Sequence, residues 1–593
     1  MKSQREKGMI PNEQIKRFKK VGFVLAIVLF MGCFPKQAQS ASSKQSAKDT
    51  HTAGQDMAWW REARFGLFIH WGPVSIKGTE IGWSRGREIP VEIYDSLYKE
   101  FNPTRFNAVE WVSIAKAAGA KYIVITSKHH DGFCIFDSKY TDYDITATPF
   151  KRDVIKELSQ ACQAHGIKLC FYHSIIDWHH PDYLPRGAGD KRTVEDAVFD
   201  RYVTYMKNQL RELLTNYGPI GILWFDGEWD PTWTHEQGLS LYQYIKELQP
   251  NIIINNRVDK GREGMDGTNK GAEYTGDYDT PEQKIGKFNT DRPWETCMTI
   301  CQQWAWKPND HLKSLKECID TLVRVVGGDG NFLLNVGPMP NGQIEPRQVE
   351  RLREIGDWLG RYGQSVYKTR GGPFKPGTWG ASTHKNNTIY IHILNRMDDT
   401  IILPPIPKKI IGNSILTGGL ATVNQSEQGI EISLPQSDLQ KLDTIIALQL
   451  DGPASEIMPR DVSSDSLTAG KKAEASNVYQ NMREFGPDKA VDDDSSTRWA
   501  TDYGVKEGWL EVDLGKPTTF NCAKISEEYD RVQEFELQYK IGNQWLTFAR
   551  GMKIGPDCSM QFDSVTARYI RLNILKATEG PTIWEFQLYV LKR

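Results

Sequence analysis

The chain has 593 residues, and its 73 Lys and Arg against 75 Asp and Glu leave a formal net charge of −2. That balance excludes the strongly basic surface of a nucleic-acid binder and favours a small neutral partner. The length exceeds one ordinary core and predicts two to four domains.

Residues 1–40 open with Lys16, Arg17, Lys19 and Lys20, continue as an apolar run from Val21 to Phe34 and end in small polar residues. This is the order of a signal peptide. The run is shorter than the roughly 20 residues of a spanning helix, so it predicts an exported, periplasmic or secreted protein cut after Ser40. The "FMGC" stretch offers an alternative, a lipid anchor on Cys33. Most of the nine cysteines fall in apolar segments and read as buried thiols, not as a disulfide framework.

From 56 to 370, short apolar runs alternate with segments of helical period. Eight runs begin at Phe65, Tyr122, Leu169, Ile222, Ile252, Ala272, Trp294 and Phe332, and helical segments between them close on Gly119, Gly166 and Gly218. The pattern predicts a (β/α)8-like barrel, whose site forms at the carboxyl ends of the strands. His70, His129, His130, Tyr172, Asp226, Arg257 and Asn335 sit at those ends and would share one pocket. The polar stretch between Asp277 and Trp294 is the least regular part. Residues 371–457 alternate as a β-sandwich packed on the barrel, and a second all-β pattern fills 466–593.

The run "GILWFDGEWD" ends an apolar strand in Asp226, with Gly227 letting the backbone turn away. A retaining glycosidase needs two carboxyl groups about 5–5.5 Å apart. Asp226 supplies one; Glu228, Glu273, Glu282 and Glu295 are all candidates for the other, and spacing does not choose among them. His70, His129 and His130 could instead ligate a metal, but neighbours in a strand point to opposite faces. The glycine-rich "GGDGNFLLNVGP" lacks the Lys and Ser/Thr of a phosphate loop, and no GxSxG elbow is present. The 18 tryptophans, many beside His, Asp or Arg, suit both a sugar site and a core.

The motifs "FGLFIHWG", "KYIVITSKHHDGF", "FYHSIIDWHHPDY", "LWFDGEWD", "INNR", "DYDTPEQ" and "GNFLLNVGPMPNGQI" occur in the order found in exo-acting α-L-fucosidases of glycoside hydrolase family 29, which the chain resembles over roughly Trp59–Ile457. The resemblance implies hydrolysis of terminal α-L-fucose from glycans with net retention and no cofactor. It makes Asp226 the nucleophile and Glu282 the acid/base, with Glu273 as runner-up. It also implies substrate contacts from His70, Trp83, His129, His130, Tyr172, Trp224 and Arg257.

The segments "AVDDDSSTRWATD", "WLEVDLGK" and "RYIRL" resemble F5/8 type C (discoidin-like) domains, β jelly rolls that often hold a structural calcium. Here Asp492, Asp494, Thr497 and Glu585 would supply its oxygens; the alternative is a solvated acidic turn. Two other functions stay open: a glycan-binding protein whose barrel has lost activity, and a glycosidase for a related 6-deoxy or galacto-configured sugar.

Overall fold

The computed structural model describes residues 57–269, 274–394, 400–462, 466–494 and 497–591. The expected signal segment, Cys33 and Glu273 lie outside the described residues.

Seven parallel strands form the first sheet: β1 (Phe65–Ile69), β2 (Tyr122–Lys128), β3 (Lys168–Ser174), β4 (Ile222–Asp226), β5 (Ile253–Ile254), β6 (Glu295–Thr299) and β7 (Asn331–Val336). Their order is β5-β4-β3-β2-β1-β7-β6. Alternate residues feed two cores, because a strand buried on both faces is apolar throughout. Phe68, Tyr122, Val124, Tyr172, Ile222 and Trp224 pack inside the barrel. Leu67, Ile69, Ile123, Ile125, Phe171, Leu223 and Phe225 pack outward with the helices. Asp226 shares the inward parity of Ile222 and Trp224, so the strand delivers its carboxylate to the barrel mouth.

The sheet closes between β5 and β6 through a segment that is not a regular strand. Single parallel bridges pair Asn255 with Tyr278, Asp279 with Trp294, and Glu282 with Cys297. The Asn256 amide donates to the Tyr278 carbonyl at 2.9 Å, and the Glu295 and Cys297 amides donate to the Asp279 and Pro281 carbonyls at 2.9 and 3.1 Å. The sixth strand position is therefore held by 278–282, several residues beyond the run expected from Ala272. Its residues are polar because they face the site and neighbouring polar side chains, which hides the strand from a hydrophobicity reading.

Helices Ala108–Ala117, Val154–His165, Phe199–Asn216, His235–Leu248, Leu315–Gly327 and Pro346–Tyr362 cover the outside. Asn107 and Asp153 cap the first two, and Thr234 and Ser314 form capping boxes with Gln237 and Glu317. Gly166 ends its helix at φ 69°, as the sequence predicts.

The next part pairs a five-stranded antiparallel sheet with a three-stranded one. Ile389, Ile391, Leu403, Ile430, Ile432 and Leu448 fill the space between them. It meets the barrel at helix Leu315–Gly327, where Lys316 Nζ donates to the Leu394 carbonyl at 3.0 Å. The C-terminal part is antiparallel, built on two 20-residue strands, Gly508–Glu527 and Cys558–Ala577. Register shifts along their pairing let each strand bend across the core of Trp499, Phe520, Phe535, Leu572 and Phe586. No helix among the described residues is long and apolar enough to cross a membrane.

Candidate active site

Asp226 is the last residue of β4, and Gly227 follows at φ 97°. Only a glycine fits there: a Cβ would come within 2.6 Å of the Ile176 side chain, besides straining the backbone. Asp226 Oδ1 accepts from Arg257 Nη1 at 2.6 Å, and Oδ2 accepts from the Tyr172 hydroxyl at 3.0 Å. Burial alone would raise this carboxyl, but the Arg257 charge, ahead of His130 and Arg262, outweighs it and holds the group below its ordinary range.

Arg257 reaches further. Its Nη2 donates to Glu282 Oε2 at 2.7 Å and its Nε to Thr280 Oγ1 at 2.9 Å, while the guanidinium lies 4.4 Å above the Trp224 ring. One buried cation thus joins the end of β4 to the closing segment, with a carboxylate on each side.

The histidines are neutral and directional. Burial pushes His70 down to about 3 and His130 down to about 4, and it takes His129 well below the usual imidazole range. Asn335 Nδ2 donates to the Trp304 carbonyl, so its Oδ1 accepts from His70 Nδ1 at 2.6 Å. Ser174 donates to the Ile176 carbonyl and therefore accepts from His130 Nδ1 at 2.6 Å. Each network leaves Nε2 as an acceptor. His130 Nε2 has no hydrogen-bond partner and lies 3.6 Å from Asp226 Oδ2. Strand β2 stops at Lys128, so the usual alternation no longer separates His129 from His130; His129 stacks on Tyr172 at 5.3 Å while its neighbour turns to Asp226.

A cavity of about 310 Å³ brings together His70, Trp83, His129, Tyr172, Trp224, Asp226, Arg257 and Glu282. His130 stands directly behind its wall. Asn335 is buried and reaches the cavity only through His70. Of the other candidate carboxylates, Glu228 lines the cavity, paired with Arg262 Nε at 2.5 Å, and burial raises its proton affinity. Glu295 does not reach it. Buried inside the barrel, Glu295 accepts from the Trp60, Trp224 and Tyr278 side chains at 3.3–3.4 Å and from the Tyr122 hydroxyl. Phe68, Trp229, Arg262, Met265 and Trp304 also line the cavity. Sequence reasoning passed over them, although Phe68 lies inside the "FGLFIHWG" motif and Trp229 inside "GEWD". Among the described residues, no three His, Cys, Asp or Glu side chains are gathered to hold a metal ion.

In the C-terminal part, Thr497 Oγ1 donates to both oxygens of Asp492 at 2.8 and 2.9 Å, and Lys489 Nζ lies 3.1 Å from Asp492. Glu585 is buried with Oε1 unpartnered. Burial, then the charges of Asp493, Asp492 and Asp494, raise its proton affinity strongly.

Known proteins match this chain over the barrel and the C-terminal part. The family model described as Alpha-L-fucosidase matches residues 33–364, and the F5/8 type C domain model matches 472–586. The human plasma alpha-L-fucosidase is 29% identical over 441 residues, 68% of this chain and 91% of that protein. The structure of alpha-L-fucosidase isoenzyme 1 from Paenibacillus thiaminolyticus aligns with TM-score 0.61 at 37% identity, covering 67% of this chain and 98% of its own. A Bacteroides thetaiotaomicron GH29 alpha-L-fucosidase, trapped as a covalent intermediate in complex with 2-fluoro-fucosyl fluoride using a glutamate-to-glutamine mutant, aligns with TM-score 0.60 at 32% identity, over 67% of this chain and 96% of that one. The match spans more than half of the sequence and takes in the whole of the cavity: the chain belongs to the alpha-L-fucosidase family GH29.

Proposed function

We propose that this enzyme removes terminal α-L-fucose from glycans and glycoconjugates with retention, using Asp226 as nucleophile and Glu282 as acid/base. The observation that carries the reading is the Asp226–Arg257–Glu282 bridge, which sets one carboxylate at a strand end and another on the closing segment of a concave aromatic pocket. Asp226, kept ionised by Arg257, attacks the anomeric carbon. Glu282 protonates the departing oxygen and later takes a proton from the water that hydrolyses the ester. His70 Nε2 accepts from a sugar hydroxyl and Arg257 donates to one, while the Tyr172 hydroxyl, its proton directed to Asp226, accepts; His130, behind the wall, faces Asp226. The covalent intermediate trapped in the Bacteroides relative supports a retaining course.

The test is release of phenol from an aryl α-L-fucoside. Asp226→Ala is expected to lower kcat by at least about a thousandfold, in the range seen when a covalent nucleophile is removed. Glu282→Ala is expected to spare activated aryl fucosides far more than unactivated ones, with azide restoring turnover. Equal loss on both, without rescue, would transfer the acid/base role to another carboxylate, Glu228 first, because it lines the same cavity and burial favours its protonated form.

A calcium ion in the C-terminal part belongs to the same proposal. Asp492, Asp494, Thr497 and Glu585 offer the oxygen donors that a hard cation takes, and the unpartnered buried oxygen of Glu585 supports it. Export is proposed on the signal-like residues 1–40.

A further inference from the structure

The rim of the cavity is made by two loops, of which the sequence singled out only the first. One follows β4 and carries Glu228 and Trp229; the other, after β5, carries Arg262 and Met265. Glu228 and Arg262 clip them together at 2.5 Å, and both side chains are buried to 8% exposure or less. Arg262 also donates to the Gly264 carbonyl, so the clip fixes the second loop's backbone.

Above the clip stand two large apolar side chains that the fold leaves open. Trp229 is 44% exposed and Met265 is 55% exposed, yet both line the cavity. Exposed apolar residues scattered over a surface need no explanation; two at one pocket mouth do. The Trp229 ring is held in place. It lies 15° from parallel to Trp83 with centroids 6.5 Å apart, meets His130 edge-on at 5.7 Å, and has the Arg262 guanidinium 5.9 Å from its ring. A ring fixed this way can receive a ligand with little loss of side-chain freedom.

The direction of the chemistry says what that ligand is. Asp226 attacks from the inner end of the cavity, and in an in-line displacement the breaking bond points away from the nucleophile, toward the mouth. We infer that Trp229, backed by Met265, is a platform for the leaving group, taking the apolar face of a pyranose joined to the fucose. The platform carries no free charge, so it suits a neutral sugar. This rests on the fucosidase reading above and adds the substrate class on the far side of the scissile bond.

The test compares a substrate with a ring in that position and one without. Wild type, Trp229→Ala and Trp229→Phe are assayed on an α-L-fucosyl-hexose disaccharide and on α-L-fucosyl fluoride, whose leaving group is one atom. Trp229→Ala is expected to lower the ratio of disaccharide to fluoride kcat/KM about tenfold, the scale of one lost stacking contact, mainly through KM on the disaccharide. Trp229→Phe should recover most of that ratio. An unchanged ratio in Trp229→Ala, whether both substrates suffer equally or neither does, overturns the platform. Wild type inert on fucosyl fluoride would instead overturn the fucosidase reading and the platform with it.

Discussion

Trp224 stands between two buried carboxyls whose proton affinities move in opposite directions. Its ring lies beneath Arg257, which grips Asp226, while its indole N–H donates to Glu295 at 3.3 Å. Asp226 has a cation beside it and stays below the carboxylate range; Glu295 has only neutral donors, and burial pushes it up to about 7. The sign of the consequence is fixed. Glu295 binds its proton more tightly folded than unfolded, where its value is near 4.5, so its contribution to stability is complete below about pH 4.5 and is lost as pH rises through about 7. Glu295→Gln cannot titrate. The wild-type Tm minus the Glu295→Gln Tm is therefore expected to fall between about pH 5 and about pH 8; a difference that grows with pH would contradict the assignment. At this scale the sequence was legible where a strand parity or a motif pointed inward, as for Asp226 and His70. It was silent on Trp304, which reaches the cavity from a loop with no periodicity, and it left Glu282 as one of four carboxylates until family resemblance singled it out.

At the scale of elements, the barrel depends on close approach between strands. A Cβ on Gly66 in β1 would lie 2.3 Å from a carbon of the Tyr122 ring, whose hydroxyl donates to Glu295. Gly66→Ala must displace that ring from a packed interior and is expected to cost about 1–3 kcal/mol, seen as a lower Tm by calorimetry. Gly360 is the control: it lies within helix Pro346–Tyr362 with nothing within 4 Å of its would-be Cβ, so Gly360→Ala should be neutral or raise the Tm. Similar losses at both positions would refute the packing argument. Seven of the eight strand positions were readable because burial on both faces makes a strand apolar throughout. The eighth was not, because Tyr278–Glu282 pairs through single bridges and spends its side chains on polar partners.

At the scale of the whole molecule, the last part is tied back to the first two. Asp493 accepts from the Thr378 hydroxyl at 2.7 Å and from Gln587 at 2.9 Å, and Arg324 of helix Leu315–Gly327 feels the charges of Asp493, Asp494 and Glu585. The sequence offered the acidic turn as a cation site; its position against the β-sandwich part was not visible, since nothing local encodes a contact 115 residues away. If calcium occupies the turn, chelation removes a ligand that binds only the folded chain, so EGTA should lower the Tm and calcium restore it. Glu585→Gln should be insensitive to both. A Tm that ignores EGTA and calcium in the wild type would leave the turn as an acidic loop joined to Thr378.

The bridges on both sides of Tyr278–Glu282 have a consequence for how such an enzyme can change. Besides β5 and β6, the loop after β5 holds that segment: the Glu282 amide donates to the Met265 carbonyl at 3.0 Å and the Thr280 amide to the Gly267 carbonyl at 3.2 Å. Residues 265–267 are therefore tied to Glu282 itself, and an insertion or deletion there would drag that carboxyl from its station. Substrate range beyond the fucose can drift through side-chain exchange on this loop, whereas any change in its length puts the bond-breaking apparatus at stake.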